Sequence, residues 1–266
     1  MAAVRRVLIV FAMEQEAEPF IRRHELCTLA PSPFPVGMPF VAHSNSAAES
    51  AASEIQSPLQ VFTVWNGRDR RYGGNNVATT AASVCAYASI QAFAPDLVIS
   101  AGTAGGFGGS GTAVGDVFLS TKCVFHARRI PDESGALEEQ GFGHFRSPHL
   151  PRLAHEAQLK RGVVSTGDSL HTSALDLELL VGEGAAVKDM EAAAIAWVCE
   201  QLGVPFVAIK SVTDLIDGAH KSHDEFYSNL ATASEALQEK LSRVLELVHG
   251  RPLSHWKSGP ALQSSD

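Results

Sequence analysis

Apolar residues in this chain fall into short runs separated by polar and glycine-rich breaks. Val7 to Phe11, Leu59 to Trp65, Asp96 to Ser100, Arg161 to Ser165 and Phe206 to Val212 are short and dense in apolar side chains, as strands in a covered sheet are. Between them lie longer segments of helical character. Met13 to Arg23 and Val77 to Phe93 fit helices, TGDSLHTSALDLELL reads as a loop and then a helix, and Glu225 to Val248 fits a terminal amphipathic one. Ala192 to Cys199 is apolar almost all round and rich in Ala, which suits a buried helix, with Gly203 and Pro205 as its stop signals. This alternation predicts an α/β fold: a single domain, residues 1–250, with a mixed central β-sheet flanked by α-helices. Residues 251–266, RPLSHWKSGPALQSSD, read as a flexible C-terminal tail.

The breaks carry less information. Residues 42–58 are rich in Ala, Ser and Glu and read as a surface loop between strands. The stretch NGRDRRYGGNN offers Arg68, Arg70 and Arg71 as possible anion ligands, or simply as a solvated loop. After Ser100 comes AGTAGGFGGSGTAVGD, where glycines let backbone approach a ligand and leave N–H groups free to meet it. It lacks the GxGxxG-to-helix pattern and a Walker lysine, so neither nucleotide fingerprint applies. Asp132 to Pro151 reads as a long irregular loop with Phe142, His144 and Phe145 at its tip, the kind that often forms a lid or a partner contact.

Charge and composition narrow the function. The 266 residues include 21 Lys plus Arg against 29 Asp plus Glu, a formal net charge of -8. An acidic chain without a basic run is poorly suited to binding nucleic acid through its phosphates. Cys27, Cys85, Cys123 and Cys199 are scattered, without disulfide or zinc spacing, which points to reduced thiols and a cytoplasmic protein. The apolar run Val7 to Ala12 is short for a signal-peptide core and is followed at once by Glu14. No run reaches the length needed to cross a bilayer, so no membrane partner is expected.

Three acids stand at the ends of apolar elements. Glu16 follows the first strand, Glu191 precedes the buried helix, and Asp214 lies just past Phe206 to Val212. Ligands in open α/β sheets bind at the carboxyl ends of strands. Carboxylates converging there suit glycosidic cleavage, one protonating the leaving group while another acts on water. Metal binding also uses carboxylates, ordinarily with His or a regular spacing.

Five motifs make the reading specific. AMEQE (Ala12 to Glu16), SAGTAGGF (Ser100 to Phe107), GDSL (Gly167 to Leu170), KDMEAAAIAWVC (Lys188 to Cys199) and KSVTD (Lys210 to Asp214) resemble, in order, those of 5'-methylthioadenosine nucleosidases of the nucleoside phosphorylase/hydrolase family. GRD, GTAGGF, VFHARRIP and KDME look most like its plant-type members. The resemblance runs from about Val7 to Val248. It implies a homodimer that takes a small-molecule nucleoside and hydrolyses 5'-methylthioadenosine to adenine and 5-methylthioribose in methionine salvage, with no cofactor and no metal. It also implies residue roles. Glu16 activates water, and Asp214 is the general acid at purine N7. Met190 and Glu191 hold the ribose hydroxyls, Thr103, Ala104 and Gly105 line sugar and base, and Lys210 lies beneath the water site. Leu170 and the backbone of His171 meet the base, and Lys188 and Asp189 complete the substrate-binding set.

The chemistry fits those roles. A purine anion is a poor leaving group, so protonation at N7 lowers the barrier. A carboxylate beside the sugar stabilises an oxocarbenium-like centre. Leu170 stands where many bacterial relatives have an aromatic, and His223 where they cover the 5'-thio group with one. Those departures bear on 5' specificity, and with it on S-adenosylhomocysteine or futalosine as substrate. A phosphorylase of the same fold is the nearest rival. Ser100 occupies the position of its usual arginine and Glu16 would repel phosphate, which leaves Arg68 as the residue in its favour. A storage protein without catalysis is the other rival, and all three acids stand against it.

Overall fold

The structure is a computed structural model that describes residues 2–45, 58–131, 133–217 and 222–258, with the backbone alone at 222–225. Residues 46–57 of the expected Ala/Ser loop and the side chain of His223 lie outside the described residues.

One mixed sheet organises the molecule. Its first strand, β1 (Arg6–Phe11), shows why the apolar runs are continuous. Leu8 and Val10 face one core, while Val7, Ile9 and Phe11 face another on the opposite side. A strand covered on both faces needs apolar residues at every position. The first core is roofed by α2 (Ala78–Phe93) and α6 (Ala192–Leu202). The second is roofed by α1 (Glu14–Arg23), α4 (Pro151–Glu156) and α7 (Ser222–Val248).

Among the described residues the sheet has ten strands where the apolar runs suggest about five. Besides β1 these are β2 (Cys27–Thr28), β3 (Val41–Ser44), β4 (Gln60–Trp65), β5 (Leu97–Gly106), β6 (Val117–Phe125), β7 (Phe145–Arg146), β8 (Lys160–Thr166), β9 (Ala185–Asp189) and β10 (Phe206–Leu215). Several of the additional strands are two to five residues long, too short for a periodicity to register. Strands run in the order β10-β6-β8-β9-β5-β1-β4-β3-β2, and β5 also pairs with β10. That extra pairing closes β5, β10, β6, β8 and β9 into a ring. Strand β5 lies parallel to both β1 and β10, so the carboxyl ends of all three point the same way.

Two expectations are corrected. The segment Asp132 to Pro151 is not one irregular loop. Helix α3 (Ala136–Phe142) and β7 occupy it, and Phe142 and Phe145 are buried. The Phe145 ring packs edge-on against Phe125, which turns the two aromatics inward instead of toward a partner. The tail does not begin to fray at 251. Leu253 and Trp256 are buried on the second core, the 252 position bridges Ala3, and the Val4 N–H donates to the Arg251 carbonyl. Two large apolar side chains are enough to anchor an otherwise polar segment. Residues 259–266 lie outside the described residues.

All four cysteines are free thiols, and Cys85, Cys123 and Cys199 are buried. Among the described residues no helix is long and apolar enough to cross a membrane.

Candidate active site

The carboxyl ends of β1, β5 and β10 open onto a cavity of about 220 Å3. Glu16, Glu191 and Asp214 all line it, although they come from three separate parts of the chain. Thr103, Ala104, Gly105, Leu170, Lys188, Asp189 and Met190 join them.

Glu16 sits in the first turn of α1 and is only 3% exposed. Its two oxygens have different partners. Oε2 accepts the N–H of Met13 at 3.2 Å, a local capping contact. Oε1 accepts both the N–H and the hydroxyl of Thr103, each at 2.7 Å. The acid therefore caps its own helix and is also locked to β5. Gly102 makes the approach possible, since a Cβ there would lie 3.0 Å from Oε1.

Asp214 follows an irregularity in β10. The register with β5 shifts between Val212 and Asp214, a bulge of the kind that re-aims side chains near active sites. Its Oδ1 accepts the Thr213 hydroxyl at 2.8 Å. Its carboxyl lies against Gly105, where a Cβ would come within 3.3 Å of Oδ2 and 2.5 Å of Ile216.

Glu191 is the N-cap residue of α6, and its Oε1 accepts the Ala78 N–H at 2.8 Å. Burial pushes its carboxyl up to about 7, against the pull of the Lys210 ammonium. Asp189 and Glu16 add to the rise, and the Ala78 N–H opposes it. Lys210 is buried beneath the cavity without lining it, and its Nζ lies 3.0 Å from Asp189 Oδ2. Burial alone would lower the Lys210 pKa. The carboxylates of Asp189, Glu191 and Glu16 outweigh that and hold it above its ordinary value. Asp189 is saturated: besides Lys210 it accepts from Thr166 Oγ1 and from the N–H groups of Glu191 and Ala192.

Lys188 points its ammonium at three backbone carbonyls, those of Ser169, Leu170 and His171, at 2.8, 2.8 and 3.3 Å. Burial lowers its pKa, with Asp176, Asp214 and Asp189 opposing. Beneath the same loop, His126 Nδ1 lies 3.1 Å from Ser165 Oγ, and burial pushes the ring down to about 4. His171 itself is exposed and is not among the cavity-lining residues, so only its carbonyl takes part.

Sequence reasoning missed part of the lining. Val77, Ile216, Phe226 and Tyr227 contribute apolar and aromatic surface. Ile216 lies two residues past KSVTD and was within reach of the motif. Val77, Phe226 and Tyr227 belong to helical patterns whose facing only the fold fixes. Two of the three candidate anion ligands, Arg68 and Arg70, are already engaged. Arg68 pairs with the Glu14 carboxylate and donates to the Gly73 carbonyl, and Arg70 donates to the Gly37 carbonyl. In the glycine stretch, the N–H groups of Gly108 and Gly109 donate to the two oxygens of Asp217 at 2.7 and 2.9 Å. Among the described residues no group of His, Cys, Asp or Glu side chains is arranged to hold a metal ion.

Comparison with known proteins gives the family and matches the fold. Residues 6–246 match the phosphorylase superfamily. A 5'-methylthioadenosine nucleosidase of Arabidopsis thaliana is 39% identical over 251 residues, covering 94% of this chain and 90% of the relative. A 5'-methylthioadenosine/S-adenosylhomocysteine nucleosidase of the same plant is 37% identical, covering 94% of each. The apo structure of an Arabidopsis thaliana 5'-methylthioadenosine nucleosidase superposes with a TM-score of 0.88 at 38% identity, over 95% of this chain and 99% of that one.

Proposed function

The chain belongs to the phosphorylase superfamily, and from that premise we propose that it hydrolyses the N-glycosidic bond of 5'-methylthioadenosine to adenine and 5-methylthioribose. The observation that carries the reading is the meeting of Glu16, Glu191 and Asp214 in one small cavity.

In this mechanism Asp214 donates a proton to purine N7 as the C1'–N9 bond lengthens. The electron pair of that bond leaves with the base, and protonation keeps the base from departing as a bare anion. Positive charge grows on the ribose C1'–O4' unit, where Glu191 supplies a nearby carboxylate and accepts from the sugar hydroxyls. Glu16 takes a proton from water as its oxygen bonds to C1'. Thr103, already holding Glu16 Oε1 through two donors, fixes the direction of that base. Lys210 and Asp189 support the site from below as a buried ion pair. Leu170, Ala104 and Gly105 frame the base, and Met190 closes the sugar side.

The cavity's Val77, Ile216, Phe226 and Tyr227 give the 5'-thio group an apolar neighbourhood. A methylthio group fits that surface better than the charged amino-acid tail of S-adenosylhomocysteine. We further read the protein as a cytoplasmic homodimer acting in methionine salvage. The exposed Val84, Tyr87 and Trp197 on the neighbouring helices α2 and α6 supply an apolar face for a second copy.

The test is adenine release from a panel of 5'-substituted adenosines in phosphate-free buffer. Methylthioadenosine should be cleaved and S-adenosylhomocysteine more slowly. Release that requires added phosphate and yields a ribose 1-phosphate would replace hydrolysis with phosphorolysis.

A further inference from the structure

Helix α2 begins without a cap of its own. Its N-cap residue, Val77, has no polar side chain, and the first N–H groups of any helix lack partners within the helix. Carboxylates from two distant segments take them. Glu191 Oε1 accepts the Ala78 N–H at 2.8 Å, and Asp168 Oδ1 accepts the Thr79 N–H at 2.8 Å. Asp168 Oδ2 also accepts the Thr79 hydroxyl at 3.0 Å.

Ala78 has φ +74, a conformation that costs a residue with a Cβ. Strain of this kind persists where the surroundings over-determine it. Here the two carboxylates grip consecutive residues of the strained turn. Asp168 belongs to the loop that contributes Leu170 to the cavity and whose carbonyls Lys188 gathers. Glu191, the N-cap residue of α6, lines the same cavity from a different segment and is the carboxylate read above as facing the sugar. The first turn of α2 is therefore the joint between the segments that carry Asp168 and Glu191.

We propose that Asp168 is a positioning residue for the hydrolysis: by holding Thr79 it fixes the backbone of Ala78 so that its N–H meets Glu191, and so keeps the base loop in register with the sugar-side carboxylate. The dipole of α2 works in the same direction, since its N-terminus favours both carboxylates as anions. The kinetic consequence rests on the nucleosidase reading, and the structural one does not.

The experiment compares Asp168→Ala, Asp168→Asn and Thr79→Val with the wild-type protein. Alanine removes both acceptors. Asparagine keeps an oxygen for the Thr79 N–H and offers an amide N–H to the Thr79 hydroxyl, so it should restore function. For methylthioadenosine, D168A should raise KM about tenfold, toward the low end of the range for unpairing a donor because both Thr79 donors lie near solvent, with kcat changed by less than about twofold. D168N should stay within about twofold of wild type in both constants, and T79V should raise KM about threefold. Independently of activity, amide hydrogen exchange at Ala78 should accelerate about tenfold or more in D168A while Leu241 in α7 keeps its protection. Unchanged Ala78 exchange in D168A, or a wild-type KM, overturns the proposal. Should D168A fail to fold, T79V decides by the same two readouts. Should the wild-type protein release no adenine, the nucleosidase reading fails, and exchange at Ala78 alone decides this one.

Discussion

Replacing Glu191 with Gln should make the protein more stable while stopping its chemistry. Burial holds the folded-state carboxyl at about 7 against an ordinary 4.5. Between those values the folded chain keeps a proton that the unfolded chain has lost. Stability therefore falls as pH rises through that window, and the loss is complete above about 7. At ~1.4 kcal/mol per pKa unit, a rise of this size amounts to a penalty on the order of 3 kcal/mol at pH 8. Gln has no such titration and still offers an oxygen to the Ala78 N–H. Lys210 loses one of its three neighbouring carboxylates, but Asp189 remains at 3.0 Å, so the buried cation stays paired. Urea unfolding of both proteins, from about pH 4 to about pH 8.5 at one fixed protein concentration, reads the difference directly. The two stability curves should coincide near the acid end and separate as pH rises, with the variant on top. Parallel curves across the window, or a less stable variant at pH 8, would refute the reasoning.

Gly105→Ala places a Cβ 2.5 Å from Ile216 and 3.3 Å from Asp214 Oδ2, so kcat should fall about a hundredfold with little change in secondary structure by circular dichroism. Lys210→Met strands Asp189 and the other carboxylates without their buried cation, and chemical denaturation should register a loss of about 3–5 kcal/mol. Trp256→Ala should cost about 3–5 kcal/mol in the same assay, whereas a frayed tail would show no change.

How much was legible in the sequence depends on what each signal measures. The core of the fold was legible because β1, β4, β5, β8 and β10 are apolar enough to stand out, and because Gly203, in the left-handed region with φ +67, stops α6 where its sequence says it should. The glycine-rich stretch was harder. Its first half continues β5 as far as Gly106, held by β10 on one side and β9 on the other. Glycine lowers strand propensity, so the local signal for the strand stops at Ser100, and tertiary pairing carries the strand on. The tail failed for the opposite reason. Polar composition suggested disorder, while two apolar residues decided the outcome. Glu16, Glu191 and Asp214 were suspicious individually for their positions, but their convergence came from motif resemblance alone. No periodicity encodes that β1 and β10 both flank β5, or that Ala78 reaches across the fold to Glu191.

The same geometry separates water from phosphate as the attacking group. A bound phosphate needs unspent donors, and three plausible sets in this chain are spent on its own carboxylates. Thr103, at the carboxyl end of β5, gives its N–H and its hydroxyl to Glu16. The glycine-rich segment gives the N–H groups of Gly108 and Gly109 to Asp217. Arg68, the residue that stood in favour of a phosphorylase, is paired with Glu14. At each place a phosphate would have to displace a negative charge and also approach it, and beside the buried Glu16 close like charges are most costly, because burial there excludes water. Water has no such obstacle, and beside Glu16 it meets an acceptor for the proton it must lose. The acid that caps α1 therefore also selects the nucleophile, because its carboxylate stands where a competing anion would need to be.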